Sequence, residues 1–389
     1  MKGDKEKEIN GNQAYRCKSR KTHRNLHSGK IISMYEHSRT KENIMKKQMH
    51  SCQKHQKVFA ILTWVVALAL LVSGCGGTPQ ETKVEVYHVG VFGFQAFSQI
   101  GDGFKAKMTE LGYIEGQNII YDIQYWNAAV DTPEAGSQQL QKFVSDKVDL
   151  VLSFPTEQTV LANEATKGTD IPLVFCFAGL EGNDLVKSIS APGGNITGVR
   201  YPGPETTGKR LEFLTQIMPS ATRIGVFYQV GYPTTEPALA VLRPLAVKLG
   251  VTLVEFPVTS LAEMQADLDQ LAQQEDIGVD TFLQMADGLT HSPEGAALVM
   301  KFAQEHHLPY GGAHYYQADQ GAVFTYSPYD FEMGQLAAII ADKVLKGTQA
   351  GTIPLSTPEN HLIINYKVAQ ELGLNIPEGL LAQADKIIR

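Results

Sequence analysis

Thiol, imidazole and carboxylate are the side chains with the most reactive chemistry, and their spacing limits what they can do here. Cysteine occurs at Cys17, Cys52, Cys75 and Cys176. Cys176 lies in the apolar run Phe175-Cys-Phe177, the setting of a buried inert thiol rather than of a nucleophile. The bases it would need, His291, His306, His307 or His314, all lie more than a hundred residues away. Adjacent His306 and His307 point to different faces, so they do not make a metal site. No P-loop or dinucleotide fingerprint stands between a strand and a helix. The reading is therefore of no enzyme, no cofactor and no metal.

A different set stands out: rings and a few polar groups at the ends of apolar runs. The set comprises Phe94, Gln95 and Phe97, then Phe154 and Thr156, then Phe177 and Ala178. It continues with Tyr201, then Tyr228 and Tyr232, then Ala286 and Asp287, then His314 and Tyr315. Such a mixture lines a small-molecule pocket, where rings sandwich a flat or apolar body and polar groups orient it. Asp287 could pair with a ligand ammonium. Thr156, with a backbone N–H at the following helix start, could take a carboxylate.

The elements that position these residues follow from hydrophobic periodicity. Val89–Phe92 reads as a buried strand and Phe97–Leu111 as a helix ended by Gly112. Asn118–Trp126 and Val148–Ser153 read as strands, Pro133–Ser145 and Thr156–Lys167 as helices, and Pro172–Phe177 as a further strand. This is the rhythm of a parallel sheet covered on both faces. In such α/β sheets, ligands sit beyond the carboxyl ends of the strands, which is where the ring-rich set falls.

The pattern then restarts. Arg223–Tyr228 mirrors His88–Phe92, Val279–Leu283 mirrors Val148–Leu152, and His307–Tyr310 mirrors Asp170–Leu173. Equivalent positions 90/225, 112/250, 149/280 and 172/309 lie 135, 138, 131 and 137 residues apart. A repeat this long predicts two doubly wound α/β lobes rather than a solenoid. The Gly- and Pro-rich stretch Pro192–Pro204 joins them, and Tyr326–Pro328 and Thr352–Pro358 are two further candidate crossings. The expected organisation is lobe one at 84–201 plus 325–351 and lobe two at 202–324 plus 352–389. Several crossings make a hinge that can close on a ligand.

Charge divides the chain differently. Residues 1–57 hold 15 Lys/Arg against 5 Asp/Glu, 58–75 hold none, and 76–389 hold 19 against 36. A body this acidic repels a phosphate backbone, so nucleic acid is not an expected partner. The run Val58–Cys75 follows a basic stretch with Lys46, Lys47, Lys54 and Lys57, the order of a secretion signal. Its end, Leu71-Val-Ser-Gly-Cys75, resembles the bacterial lipobox. That resemblance implies that the Cys75 sulfur takes a diacylglycerol, that cleavage leaves Cys75 first, and that residues 76–83 form a tether. The alternative is an uncleaved transmembrane anchor, since eighteen residues at ~1.5 Å each nearly span a ~30 Å hydrocarbon core. Either way the body is extracytoplasmic. Residues 1–75 are read as leader and signal, with translation expected to begin at Met45.

The body also resembles the ABC transporter substrate-binding lipoproteins of the type I periplasmic-binding-protein-like family, which include binders of aromatic amino acids. The matching segments are KMTELGYIEGQNI (107–119), KFVSDKVDLVLSFPT (142–156), DIPLVF (170–175), LVKSISAPGGNITGV (185–199), YSPYDFEMGQLAAIIADKVLKG (326–347) and INYKVAQELGLNIPEGLLAQADKII (364–388). The resemblance implies an interlobe cleft, a permease and an ATPase as partners, an importer role as a monomer, and a small solute, with an amino acid as first choice. Three departures leave the ligand open. Gly179-Leu-Glu-Gly182 runs one residue short of the family's Asp-Pro loop, His314 stands where an acidic residue is common, and the first-strand loop is about two residues shorter. A sensor presenting its solute to a membrane receptor is the rival reading. A sugar-responsive repressor would need a DNA-binding domain where the signal segment lies.

Overall fold

In the computed structural model, residues 85–126 and 132–389 are described; the leader, Cys75 and the tether lie outside them. Among the described residues there are two sheets. The first uses β1 (Tyr87–Phe94), β2 (Ile119–Trp126), β3 (Leu150–Phe154), β4 (Leu173–Ala178) and β5 (Ile196–Arg200), in the order β2-β1-β3-β4-β5, all parallel. The second uses β6 (Arg223–Gln229), β7 (Thr252–Val258), β8 (Thr281–Leu283), β9 (Tyr310–Gly312), β10 (Phe324–Ser327), β11 (His361–Asn365) and β12 (Lys386–Ile388). Its order β7-β6-β8-β9-β10 repeats that of the first sheet, and β11 and β12 extend it, with β10 and β11 antiparallel. The doubled α/β sheet expected from the sequence is present, with this one antiparallel pair added.

The mirrored residues do the same work in each lobe. Gly90, central in β1, leaves room for Phe143, whose ring a Cβ there would meet at 2.7 Å; Gly225 in β6 does so for Phe282 at 2.6 Å. Asp149 accepts the backbone N–H of His88 at 2.6 Å, and Asp280 accepts those of Thr222 and Arg223 at 2.7 and 2.9 Å. Each carboxylate ties the start of its lobe's first strand to the neighbouring strand. Along β1, Val89 and Val91 join one core and Phe92 the other, because successive side chains point to opposite faces and both faces are covered.

Helices α1 (Ser98–Glu110), α2 (Pro133–Ser145) and α3 (Thr156–Thr166) cover the first sheet. In α2, Thr132 accepts from Ala135 N and proline stands at the first turn, a start legible from the residues alone. The second sheet carries α4 (Gly203–Ile217), α5 (Thr235–Leu249), α6 (Leu261–Ala272), α7 (Pro293–Glu305) and α8 (Gln317–Gln320). The chain then returns to lobe one as α9 (Asp330–Leu345), whose Met333, Ala337 and Ala341 join the core containing Ile100 and Phe104 of α1. Finally α10 (Tyr366–Glu371) and α11 (Glu378–Leu381) lie between β11 and β12.

Two lobe boundaries move. Residues 325–327, expected in lobe one, form β10 and pair with β9 and β11 in the second sheet. The segment 352–356, expected in lobe two, stays with lobe one: Thr197 Oγ1 donates to the Ile353 carbonyl, and Arg200 N to the Ser356 carbonyl, both at 2.9 Å. In both cases backbone groups go where partners exist. The crossings therefore fall at 201–202, 328–329 and 357–360. Tyr329 stacks on His361 at 4.3 Å, and Arg200 Nε donates to Thr357 Oγ1 at 3.1 Å, so side chains tie the crossing region together.

Candidate functional site

Five rings meet where the carboxyl ends of the strands face each other. Phe97 closes the 3-10 turn after β1, Phe177 lies in β4, and Tyr201 occupies the first crossing. His291 precedes α7 and His314 follows β9. Phe177 lies 5.1 Å from Phe97 and 4.6 Å from Tyr201, while Phe97 lies 5.6 Å from His314 and 6.2 Å from His291. All five are buried. The rings join lobe one to lobe two, so the lobes are in contact here. Tyr315 adds a hydrogen bond across the seam to Gln99 Oε1 at 3.1 Å.

Phe177 reaches the cluster through an unusual backbone. Its φ is +56°, and the pairing of β4 with β5 slips between Cys176 and Ala178. A bulky residue in the left-handed region is strained by about 1–3 kcal/mol and persists only where its surroundings hold it. The bulge re-aims the ring out of the strand's alternation. Neighbouring Cys176 is fully buried, and that burial pushes its thiol well up, away from the reactive thiolate.

Beside the rings is a polar corner. Thr156 Oγ1 accepts from Gly179 N at 3.1 Å, and the Tyr232 phenol lies beside Thr156 and Glu157. Burial pushes Tyr232 well up, and the nearby Glu157 carboxylate adds to that. Burial likewise raises Glu157, with Asp287 as a further contributor. Gly288 has no side chain to keep Glu157 and Tyr232 away.

The remaining expected residues divide. Asp287 is buried, but its oxygens accept from Thr290 N and Thr290 Oγ1 at 2.7 Å, Leu289 N at 3.0 Å and Gln229 N at 3.2 Å. Burial still raises it against those bonds. Four donors make it a loop brace rather than an open ammonium partner. Phe154 packs into the lobe-one core against Gly93 and Tyr125, and Tyr228 points away to Glu255 at 3.1 Å. Neither joins the ring cluster. Phe94 is half-buried against Trp126, Gln95 is exposed, and Ala178 offers its carbonyl to Tyr201 N at 2.8 Å. Ala286 packs on the lobe-one core.

Residues outside the strand-end set also converge. His291 stands among the rings, and burial drives it well below the usual imidazole range. Asp330 at the start of α9 lies 3.2 Å from His314 Nε2, both almost fully buried. Arg210 of α4 is fully buried beside Tyr201. Its signal in the sequence was available: Thr207, Arg210, Leu211 and Leu214 share the buried helical stripe, an improbable place for a guanidinium without a task. A cavity of about 460 Å³ borders the seam, between Ala96 of lobe one and Pro293, Ala297, Met300 and Tyr316 of lobe two. The ring cluster is the better solute seat, because buried polar groups with unfilled hydrogen-bonding capacity collect there, on Tyr201, Arg210, His291, and His314 with its neighbour Asp330.

Three comparisons bear on this geometry. A family described as ABC transporter substrate binding protein matches residues 89–388. A tyrosine-binding protein of Clostridioides difficile (strain R20291) is 30% identical over 276 residues, 70% of this chain and 76% of that protein. Among solved structures, an ABC domain from Streptococcus pneumonia in complex with L-Trp is 24% identical with a TM-score of 0.69, covering 78% of this chain and all of that one. The ligand-free, open structure of a substrate-binding protein with adhesive properties from Clostridium difficile is 25% identical with a TM-score of 0.59, covering 78% and 99%.

Proposed function

The chain belongs to the ABC transporter substrate-binding protein family, and from that premise we propose that it captures an aromatic amino acid between its lobes for import. Members of this family bind small solutes outside the cytoplasm and work with a permease and its ATPase; they are not enzymes. The observation that carries the finer reading is the ring cluster of Phe97, Phe177, Tyr201, His291 and His314 at the seam. At 4.6–6.2 Å these rings touch one another, so a solute ring is received when the lobes part and takes over the contacts that Phe97 and Phe177 make with His291 and His314. The relatives named for tyrosine and solved with L-Trp agree with this choice.

In the proposed cycle, the open lobes expose Phe97 and Phe177. The solute ring settles on them, and the His291, His314 and Tyr315 side then closes over it. Closure follows from contacts that only the closed form makes, since a solute shifts the equilibrium by its differential affinity alone. The protein acts as a monomer, and lipid on Cys75 holds it at the membrane, a reading that rests on the Leu71–Cys75 sequence. Two or more acyl chains make such anchoring stable.

Calorimetric titration of the full chain tests the solute. Micromolar binding of L-tyrosine or L-tryptophan, worth about 8 kcal/mol, is expected, with no heat from glucose or ribose. Binding of a sugar and of neither amino acid would refute the reading. For the anchor, Cys75→Ser is expected to abolish incorporation of labelled fatty acid; undiminished labelling would refute the lipid site.

A further inference from the structure

Arg210 is 0% exposed and has no carboxylate partner among the described residues. Its Nη2 donates to Thr207 Oγ1 at 2.7 Å, and apart from the Tyr201 hydroxyl beside it the rest of the fork meets no acceptor. A buried charge is ordinarily paired or discharged, and a guanidinium cannot discharge at any physiological pH. The other charged groups nearby do not balance it. Asp330 has His314 at 3.2 Å, and Asp287 is held by its own loop.

Two groups stand with Arg210, while the Asp330 oxygen left without a hydrogen bond lies against His314. The Tyr201 hydroxyl lies beside the guanidinium and has no other partner, His291 Nε2 is buried without a partner, and the guanidinium charge acts on both side chains. The hydroxyl and the guanidinium fork can donate, and the imidazole donates from Nε2 in the tautomer that carries its proton there. They stand next to Phe177, whose ring lies 4.6 Å from Tyr201 and 6.4 Å from His291. One fixed positive charge with neutral donors suits a planar monoanion, and the guanidinium fork matches the two oxygens of a carboxylate. A doubly charged phosphate would want more cations than this corner holds.

We infer that Arg210, flanked by Tyr201 and His291, is the seat of the solute's carboxylate. The inference rests on the ring-lined seam being the solute site and deepens that reading by naming the group that orients the solute. Burying the guanidinium without a partner weakens the empty protein, and the arriving carboxylate removes that penalty. A purely architectural Arg210, holding α4 through Thr207, would behave in the opposite way.

The test compares L-tyrosine with L-tyrosinamide, and L-tryptophan with L-tryptophanamide, by calorimetry on the wild-type full chain and on Arg210→Met and Arg210→Lys. In the wild type the amides are expected to bind weaker on the order of 100-fold. Arg210→Met brings the amino acids down to the level of their amides and leaves the thermal midpoint of the empty protein unchanged or higher. Arg210→Lys keeps part of the discrimination. Equal wild-type affinity for acid and amide overturns the assignment and leaves the aromatic pocket standing. Binding of neither amino acid overturns both. Should Arg210→Met fail to fold, the wild-type acid and amide pairs still decide.

Discussion

At the ring cluster lobe one presents Phe97 and Phe177, with Thr156, Glu157 and Gln99 at its edges, whereas lobe two presents His291 and His314, with Tyr232, Tyr315 and the buried Arg210. Behind the seam the two are alike. Their sheets share one strand order, Gly90 and Gly225 admit Phe143 and Phe282, and Asp149 and Asp280 tie down the first strands. The difference teaches where a duplicated fold is free to diverge. Core positions are fixed by packing that punishes any change of volume, but loops beyond the strand ends answer only to what they must bind. Within the ring cluster, lobe one supplies the apolar rings and lobe two the imidazoles and the guanidinium. A solute with a ring and a charged end needs both.

The comparison can be broken first at the chassis. Phe143→Ala and Phe282→Ala should each cost about 3–5 kcal/mol of stability, because both rings are buried in their cores. Urea unfolding would show this, and a loss confined to one lobe's variant would deny the equivalence. Next comes the apolar grip. Phe177→Ala should weaken L-tyrosine by about 2–3 kcal/mol, whereas Tyr228→Phe, which only loses a bond to Glu255, should leave affinity unchanged; titration of both variants checks the contrast.

Third is the strand tie. Burial would raise Asp280, but the backbone N–H groups of Thr222 and Arg223 and the Arg223 side chain hold it down at about 2. A carboxyl depressed in the folded state stabilises the fold above its unfolded value of ~3.9 and loses that contribution as pH falls toward 2. Asp280→Asn should therefore cost about 2 kcal/mol at neutral pH and progressively less as pH falls from 4 to 2. A penalty independent of pH in thermal melts would argue against the carboxylate's role. The smallest effect belongs to Tyr315→Phe, which removes one bond between lobes; affinity should fall by about 0.5–1 kcal/mol, seen as a faster dissociation rate.

Much of this was legible in residues 84–389 before any coordinates. Strands buried on both faces read as unbroken apolar runs, so β1, β3, β4 and β6 were plain, as was the restart at Arg223. The four-residue β10 was not, since Tyr326-Ser-Pro328 carries the signature of a turn and its pairing is decided by β9 and β11. Within the candidate site, the strand-end rule picks out Phe97, Phe177, Tyr201 and His314, which the structure brings together. It could not fix which face the last side chains take, and so Phe154 and Tyr228 were included although they point elsewhere. Asp287 carries a charge at a strand end, yet its loop consumes that charge. Arg210 sits on a helix rather than beyond a strand, out of reach of the strand-end rule.

The account turns on the two unlike lobe edges closing over a solute. Positions 96 and 301 face one groove from opposite lobes, and spin labels there report closure through the distance between them. The account predicts one short, narrow distance distribution with saturating L-tyrosine or L-tryptophan, and a longer, broader one without. Identical distributions in both conditions, with binding verified in the same samples, would contradict it.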